Sequence, residues 1–312
     1  MASAPHSKLV IYVATASNLA IAVVKFITAG MTGSSAMLSE GIHSVIDTAN
    51  QLLLLLGVNR GQKPADARHP YGYGKELYFW SLIVAMVLFG IGGGMAIYEG
   101  ITHLINPRPI EDPFWAYVVL GVSAVLEGTS LSFALRQMLA KKGKFTLWQS
   151  IRRSYDPSSF TVLFEDSAAM VGLAAAFLGV YFGQKFGNPY FDGAASIVIG
   201  ITLCVVALLL IRESKGLLVG EAAKPEVVAS ITELTCNEPA VIEVGRVLTM
   251  VFGPDEILLN IEAKFIPELS MAQLTAIVSK LEQAIQQRHP QVKSIFIDST
   301  SMSQADHATR HP

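Results

Sequence analysis

His43 and Asp47 stand four residues apart inside the apolar run Ser34–Gly57, SSAMLSEGIHSVIDTANQLLLLLG. Four residues is about one turn of α-helix, so both side chains project from one face. Imidazole and carboxylate together make half of a coordination shell for a divalent transition metal. Ionisable groups inside hydrocarbon are costly, so a pair of them points to function. The competing reading is a buried hydrogen bond between packed helices. Glu40 lies one turn before the pair and Asn50 one turn after it.

A second acidic pair, Glu165 and Asp166, lies in another apolar run, TVLFEDSAAMVGLAAAFLGVY. Neighbours on a helix point about 100° apart. One of the two is therefore expected to face the site fully, and Asp166 is preferred. A tetrahedral ion needs about four ligands. His43, Asp47 and Asp166 would supply three, with Glu165 or water as the fourth. One nitrogen among oxygens would admit Mn, Fe or Co as well as Zn.

Weaker candidates lie outside these runs. Asp66 and His69, in PADARHPYGYGKE, could bind metal or could serve a turn built on Pro64, Pro70, Gly72 and Gly74. Glu99, beside Gly92, Gly93, Gly94 and Gly100, could line an outward cavity or mark the end of a membrane span. Its glycines suggest close helix contact. Asp192, in NPYFDGAAS, suits the capping of the helix it begins. His6, His307 and His311 lie in the tails and carry no argument.

The elements that must position these residues read as membrane helices. Of 312 residues, 51% are hydrophobic and 15% charged, against about 25% charged in a soluble domain. Six segments reach the roughly 20 apolar residues of a spanning helix: about 9–30, 34–57, 78–102, 113–136, 160–183 and 190–211. Arg60, Lys63, Arg68 and Lys75 follow the second segment. Arg136, Lys141, Lys142, Lys144, Arg152 and Arg153 follow the fourth. The opposite side holds only Arg108 and Lys185, which places both termini in the cytoplasm. No cleavable signal is expected at the start. A net charge of −2 argues against a nucleic-acid partner. Cys204 and Cys236 fall in a span and a soluble segment, so no disulfide is expected between them, and no CxxC zinc signature is present. No nucleotide-binding loop, nucleophile elbow or HExxH pattern supports an enzyme.

The predicted organisation is a six-helix membrane bundle over 1–212, a soluble α+β unit over 213–300, and a polar, disordered tail over 301–312. Within the soluble unit, Pro225–Cys236 and Ser270–Gln287 read as helices, with Ser270 as N-cap. Val241–Val251, Glu256–Phe265 and Val292–Ile297 read as strands, the first two joined by a turn at Phe252-Gly253-Pro254-Asp255. The order αββαβ suits a three-stranded sheet with both helices on one face.

These motifs resemble the cation diffusion facilitator family of divalent-metal/proton antiporters over nearly the whole chain. Glu40–Asp47 is similar to the family's HxxxD transport motif. His69–Glu76 resembles its loop signature, in which His usually stands at Tyr73. Tyr98–Ile101 with Pro107, and Asp192–Ser196, resemble the end of its third span and the opening of its sixth. In the fifth span Asp166 takes the acid position of a second HxxxD, while Val162 stands where the family carries His. The Leu163–Asp166 stretch resembles a branch that includes a divergent animal zinc-transporter type.

The resemblance implies a ferredoxin- or metallochaperone-like tail that forms a homodimer in a lipid bilayer. It also implies efflux of a divalent cation from the cytoplasm in exchange for protons, by alternating access. Zinc comes first among substrates, with Mn, Fe, Co and Cd open. Phe296 and Leu274 stand where zinc-transporting members hold tail histidines, so the tail is expected to lack the usual metal pair. Some members pair the loop Lys, here Lys75, with an Asp after the sixth span; Val219 stands there, with Glu221 nearby. The short loops point to a bacterial inner membrane. The missing fifth-span His motivates an alternative, a membrane partner protein that binds metal without transporting it.

Overall fold

The computed structural model describes residues 5–110, 112–141, 146, 149–150 and 154–299. The expected disordered tail, with His307 and His311, lies outside the described residues, as do Lys142, Lys144, Arg152 and Arg153. The chain forms two compact units. One holds the residues up to Arg60 and Glu76–Lys215; the other holds Gly61–Lys75 and the residues from Gly216 on.

The first unit is helical: α1 (Pro5–Thr32), α2 (Ser35–Gly61), α3 (Glu76–Ile105), α4 (Phe114–Lys141), α5 (Pro157–Phe186) and α6 (Tyr190–Val219). Among the described residues, five of these, α2 to α6, are long and apolar enough to cross a membrane, and the apolar part of α1 is the shorter Asn18–Thr32. Each helix extends beyond the apolar segment read from sequence, because polar residues at the ends continue the backbone hydrogen bonding.

The glycines of α3 do two things. Leu88–Gly93 forms a π-helical turn inside the span, where clustered glycine lowers the preference for regular helix. They also let α3 meet α6 backbone to backbone. A Cβ on Gly100 would lie 2.7 Å from the Gly193 carbonyl oxygen, and one on Gly200 would lie 2.7 Å from that of Gly93. Any larger residue at these levels would push the helices apart.

The second unit follows the αββαβ order, with α7 (Pro225–Cys236), β1 (Val241–Gly253), β2 (Glu256–Phe265), α8 (Met271–Arg288) and β3 (Val292–Asp298). The sheet order is β1-β2-β3, antiparallel then parallel. Ile257, Leu259 and Ile261 of central β2 are fully buried, as the alternation with Leu258, Asn260 and Glu262 requires. α7 packs on β1, α8 on β3, and the two helices on each other. Ser270 caps α8 in a capping box with Gln273, an arrangement worth about 1 kcal/mol.

Loop Gly61–Lys75 packs within this second unit. The Gly74 backbone lies against Phe252, whose carbonyl oxygen would sit 2.5 Å from a Cβ at position 74. Lys75 Nζ stands 4.9 Å from the Phe252 ring centre, so cation–π attraction, rather than an ion pair at position 219, engages this lysine.

Candidate metal centre

Four helices enclose a cavity of about 270 Å³ in the first unit. α1 lends Asn18 and Ile21; α2 lends Ser44, Asp47 and Gln51; α4 lends Leu126, Glu127 and Ser130; α5 lends Val162, Glu165 and Asp166. The spacing on α2 is helical, so Glu40, His43, Ser44, Asp47 and Asn50 lie along one side of it. A larger groove of about 580 Å³ between α1 and α4 is lined by residues such as Val24, Met31, Trp115 and Val122. Its lining carries no ionisable side chain, so it offers an ion nothing.

His43 and Asp47 sit as the sequence predicts. The His43 Nδ1 to Asp47 Oδ1 distance is 3.4 Å, within ion-pair reach but not in hydrogen-bond geometry. Both ring nitrogens of His43, Asp47 Oδ1 and Asn50 Oδ1 are buried without a hydrogen-bond partner among the described residues. Each such group costs about 1–3 kcal/mol, so several on one face argue against a merely structural hydrogen bond.

Glu165 and Asp166 both line the cavity, although adjacent residues on a helix diverge. They are held differently. Asn50 Nδ2 donates to Glu165 Oε1 at 2.7 Å, tying α2 to α5. Ser130 Oγ donates to Asp166 Oδ2 at 2.7 Å, tying α4 to α5. Both the preferred Asp166 and the alternative fourth ligand Glu165 therefore stand on the cavity wall. As the side chains stand, no three described His, Cys, Asp or Glu groups come close enough together to hold one ion. Val162 lines the same wall, so the position where the family carries His faces the cavity.

The remaining candidates are placed elsewhere. Asp66 Oδ1 accepts from the Arg68 and His69 backbone N–H groups at 2.9 and 2.8 Å, and Oδ2 accepts from the Tyr73 hydroxyl at 2.7 Å. The Tyr73 hydrogen bond, followed by that from the His69 backbone, holds the Asp66 carboxyl below the usual carboxylate range. Both Asp66 oxygens are thus engaged within the loop. Glu99 is half-buried and does not line the cavity.

Asp192 lies inside α6, not at its N-cap, which corrects the capping expected from sequence. Its carboxylate instead accepts from Ser34 Oγ at 2.5 Å, from Ser35 N at 2.6 Å and from Ser35 Oγ at 2.9 Å. It caps α2 from another helix and so fixes where the His43 face begins.

Sequence reasoning missed two ionisable residues here. Glu127 of α4 adds a carboxyl to the cavity wall; an acid in the apolar run YVVLGVSAVLEGTS was the available signal. Lys25 of α1 is buried and donates to Glu40 Oε2 at 3.0 Å and Ser44 Oγ at 2.8 Å. A lone lysine within LAIAVVKFITAG was its signal.

Residues 11–219 match the family model described as the cation efflux transmembrane domain. The chain is 37% identical over 237 residues to the mitochondrial proton-coupled zinc antiporter SLC30A9 of Xenopus laevis, covering 75% of this chain and 42% of that protein. It is 34% identical over 264 residues to metal tolerance protein C4 of Arabidopsis thaliana, covering 83% and 57%. Magnetosome protein MamM of Paramagnetospirillum magneticum is 21% identical over 304 residues, covering 96% and 90%. The chain spans about half the length of the first two of these relatives. With that transmembrane-domain match over more than half its length, the chain is a multi-pass membrane protein and belongs to the cation efflux family, the cation diffusion facilitators that its α2 and α5 motifs resemble.

Proposed function

We propose that this chain is a secondary transporter, not an enzyme, that exports a divalent transition-metal cation from the cytoplasm in exchange for protons. Zinc is the first candidate, with Mn, Fe, Co and Cd behind it. Two relatives are named a proton-coupled zinc antiporter and a metal tolerance protein. The observation that carries the reading is the α2 face: both His43 ring nitrogens and Asp47 Oδ1, buried without a hydrogen-bond partner among the described residues, beside a cavity with three further carboxyls.

His43 and Asp47 would meet the cation first, and Asp166 and Glu165 would complete the shell from α5. Because the side chains stand apart, binding would bring the α2 and α5 ligands together around the ion. That closure is the step from which alternating access follows. The ligands must be deprotonated to hold a cation, so binding releases protons and protonation releases the cation. Asn50 would hold the Glu165 carboxylate in register through one oxygen, leaving the other for the ion.

The proposal extends to organisation. Residues 1–212 would form a membrane domain and 213–300 a cytoplasmic domain that joins two copies. Both termini would face the cytoplasm of a bacterial inner membrane, on the excess of Lys and Arg between the second and third and between the fourth and fifth spans. Uptake by proteoliposomes under a pH gradient, run as a panel over Zn, Mn, Fe, Co and Cd, tests the reading. Gradient-dependent uptake of at least one metal is expected. Metal binding without flux would make the chain a binding partner instead, and neither binding nor flux would remove the reading altogether.

A further inference from the structure

The Lys25–Glu40 ion pair has no task in the transport scheme above, yet it is among the most buried polar features of the molecule. The side chains are 1% and 0% exposed, with Nζ 3.0 Å from Glu40 Oε2. Removing two charges from water costs several kcal/mol per ion, and replacement by packed apolar residues is often neutral or better. Stability alone is therefore a poor reason for the pair.

Its position supplies another reason. Glu40 is one turn from His43 on the same face of α2. Lys25 also donates to Ser44, which lines the cavity one turn from Asp47. Glu40 uses one oxygen for Lys25, while Oε1 is buried without a hydrogen-bond partner among the described residues. That oxygen lies against Gly172 of α5, where a Cβ would stand 2.4 Å from it. The glycine opens space on the facing helix for a carboxylate whose second oxygen no described residue satisfies.

We infer that Lys25 is a tethered cation that sets the affinity of the neighbouring site for its divalent substrate. Its ammonium offsets the Glu40 carboxylate, so that Glu40 adds no net negative charge one turn from His43. This weakens a site that would otherwise hold a divalent ion too firmly to release it. The inference rests on the transport reading of that site. Lys25 acts through charge and through Glu40, and is a positioning residue rather than a ligand.

The test is a set of signs. Zinc affinity of the purified full chain in detergent is measured by titration calorimetry for wild type, Lys25→Met, Glu40→Gln and the double variant. Lys25→Met should bind zinc roughly ten- to a hundredfold more tightly, because a unit charge near a divalent ion is worth that much at intermediate dielectric. Glu40→Gln leaves the ammonium uncompensated and should bind more weakly by a similar factor. The double variant should fall between them. In proteoliposomes Lys25→Met should lower both KM and the maximal rate, since release slows. A structural pair would weaken zinc binding in both single variants, and that result, or unchanged affinity in both, overturns the inference. If wild type binds none of Zn, Mn, Fe, Co and Cd, the transport reading fails and the tethered-cation inference with it; if it binds another of these instead, the same series is titrated with that metal. Should Lys25→Met fold poorly, the opposed shifts of Glu40→Gln and the double variant decide the matter: a double variant that binds no more tightly than Glu40→Gln rejects it.

Discussion

The chain carries two His/Asp pairs at helical or near-helical spacing, and their surroundings differ. His43 and Asp47 lie on a regular helix, 1% and 15% exposed, with their polar atoms left over. His69 and Asp66 are each 50% exposed, in a turn where both Asp66 oxygens are already engaged. The residue types are the same, and the surroundings decide. In the loop, backbone N–H groups satisfy one oxygen of the carboxylate, and Tyr73 engages the other. In the first unit both His43 ring nitrogens and Asp47 Oδ1 are buried without a hydrogen-bond partner among the described residues, which costs free energy that a ligand would offset.

The largest expected effect separates the two pairs outright. His43→Ala or Asp47→Ala should lower proteoliposome zinc flux by roughly a hundredfold or more, since even second-shell changes at metal sites cost ten- to a hundredfold. Asp66→Ala and His69→Ala should stay within about twofold, as exposed substitutions that touch no ligand do. Equal losses at both pairs would erase the distinction. Next, Glu165→Gln should reduce flux by roughly tenfold if this carboxylate completes the shell. A near-normal rate would give that place to water. A third, smaller effect sharpens the chemistry. Val162→His places imidazole on the cavity wall and should shift preference from Mn towards Zn by roughly severalfold, as nitrogen donors favour zinc. An unchanged Zn/Mn ratio would show that position 162 does not reach the ion.

The smallest effect lies in the second unit. Burial, and then Arg288, hold the His289 imidazole below its ordinary value, while its Nε2 lies 3.0 Å from Ser230 Oγ of α7. The fold thus favours the neutral ring. Below the ordinary histidine value of about 6.5 the unfolded chain takes the proton first, so this contribution is present at higher pH and fades as pH falls. Hydrogen exchange of the full chain should show a modest loss of protection at the end of α8 between about pH 7.5 and 5.5. His289→Asn should flatten it, and equal loss in that variant would place the effect elsewhere.

Local pattern made much of this legible. Spacing of three and four put Glu40, His43, Asp47 and Asn50 on one side of α2, and alternation in β2 marked Ile257, Leu259 and Ile261 as core. The rest depends on residues that meet only in the folded chain. Asp192 caps α2 across more than 150 positions, so its own sequence context pointed to the wrong helix. Lys25 finds Glu40 on the next helix, and nothing near either residue announces the other. Glu165 and Asp166 both reach the cavity because Asn50 and Ser130 approach α5 from two sides, which a single-helix projection cannot show. Tyr73 reads as a lost ligand in the linear motif; in three dimensions it is the donor that closes the Asp66 turn.

Zinc K-edge X-ray absorption of the zinc-loaded full chain tests the central claim most directly. A first shell of oxygens with a single imidazole is predicted. The imidazole signal should persist in His69→Ala and disappear in His43→Ala. A sulfur shell, several imidazoles, or a signal lost with His69 and kept without His43 would contradict the account.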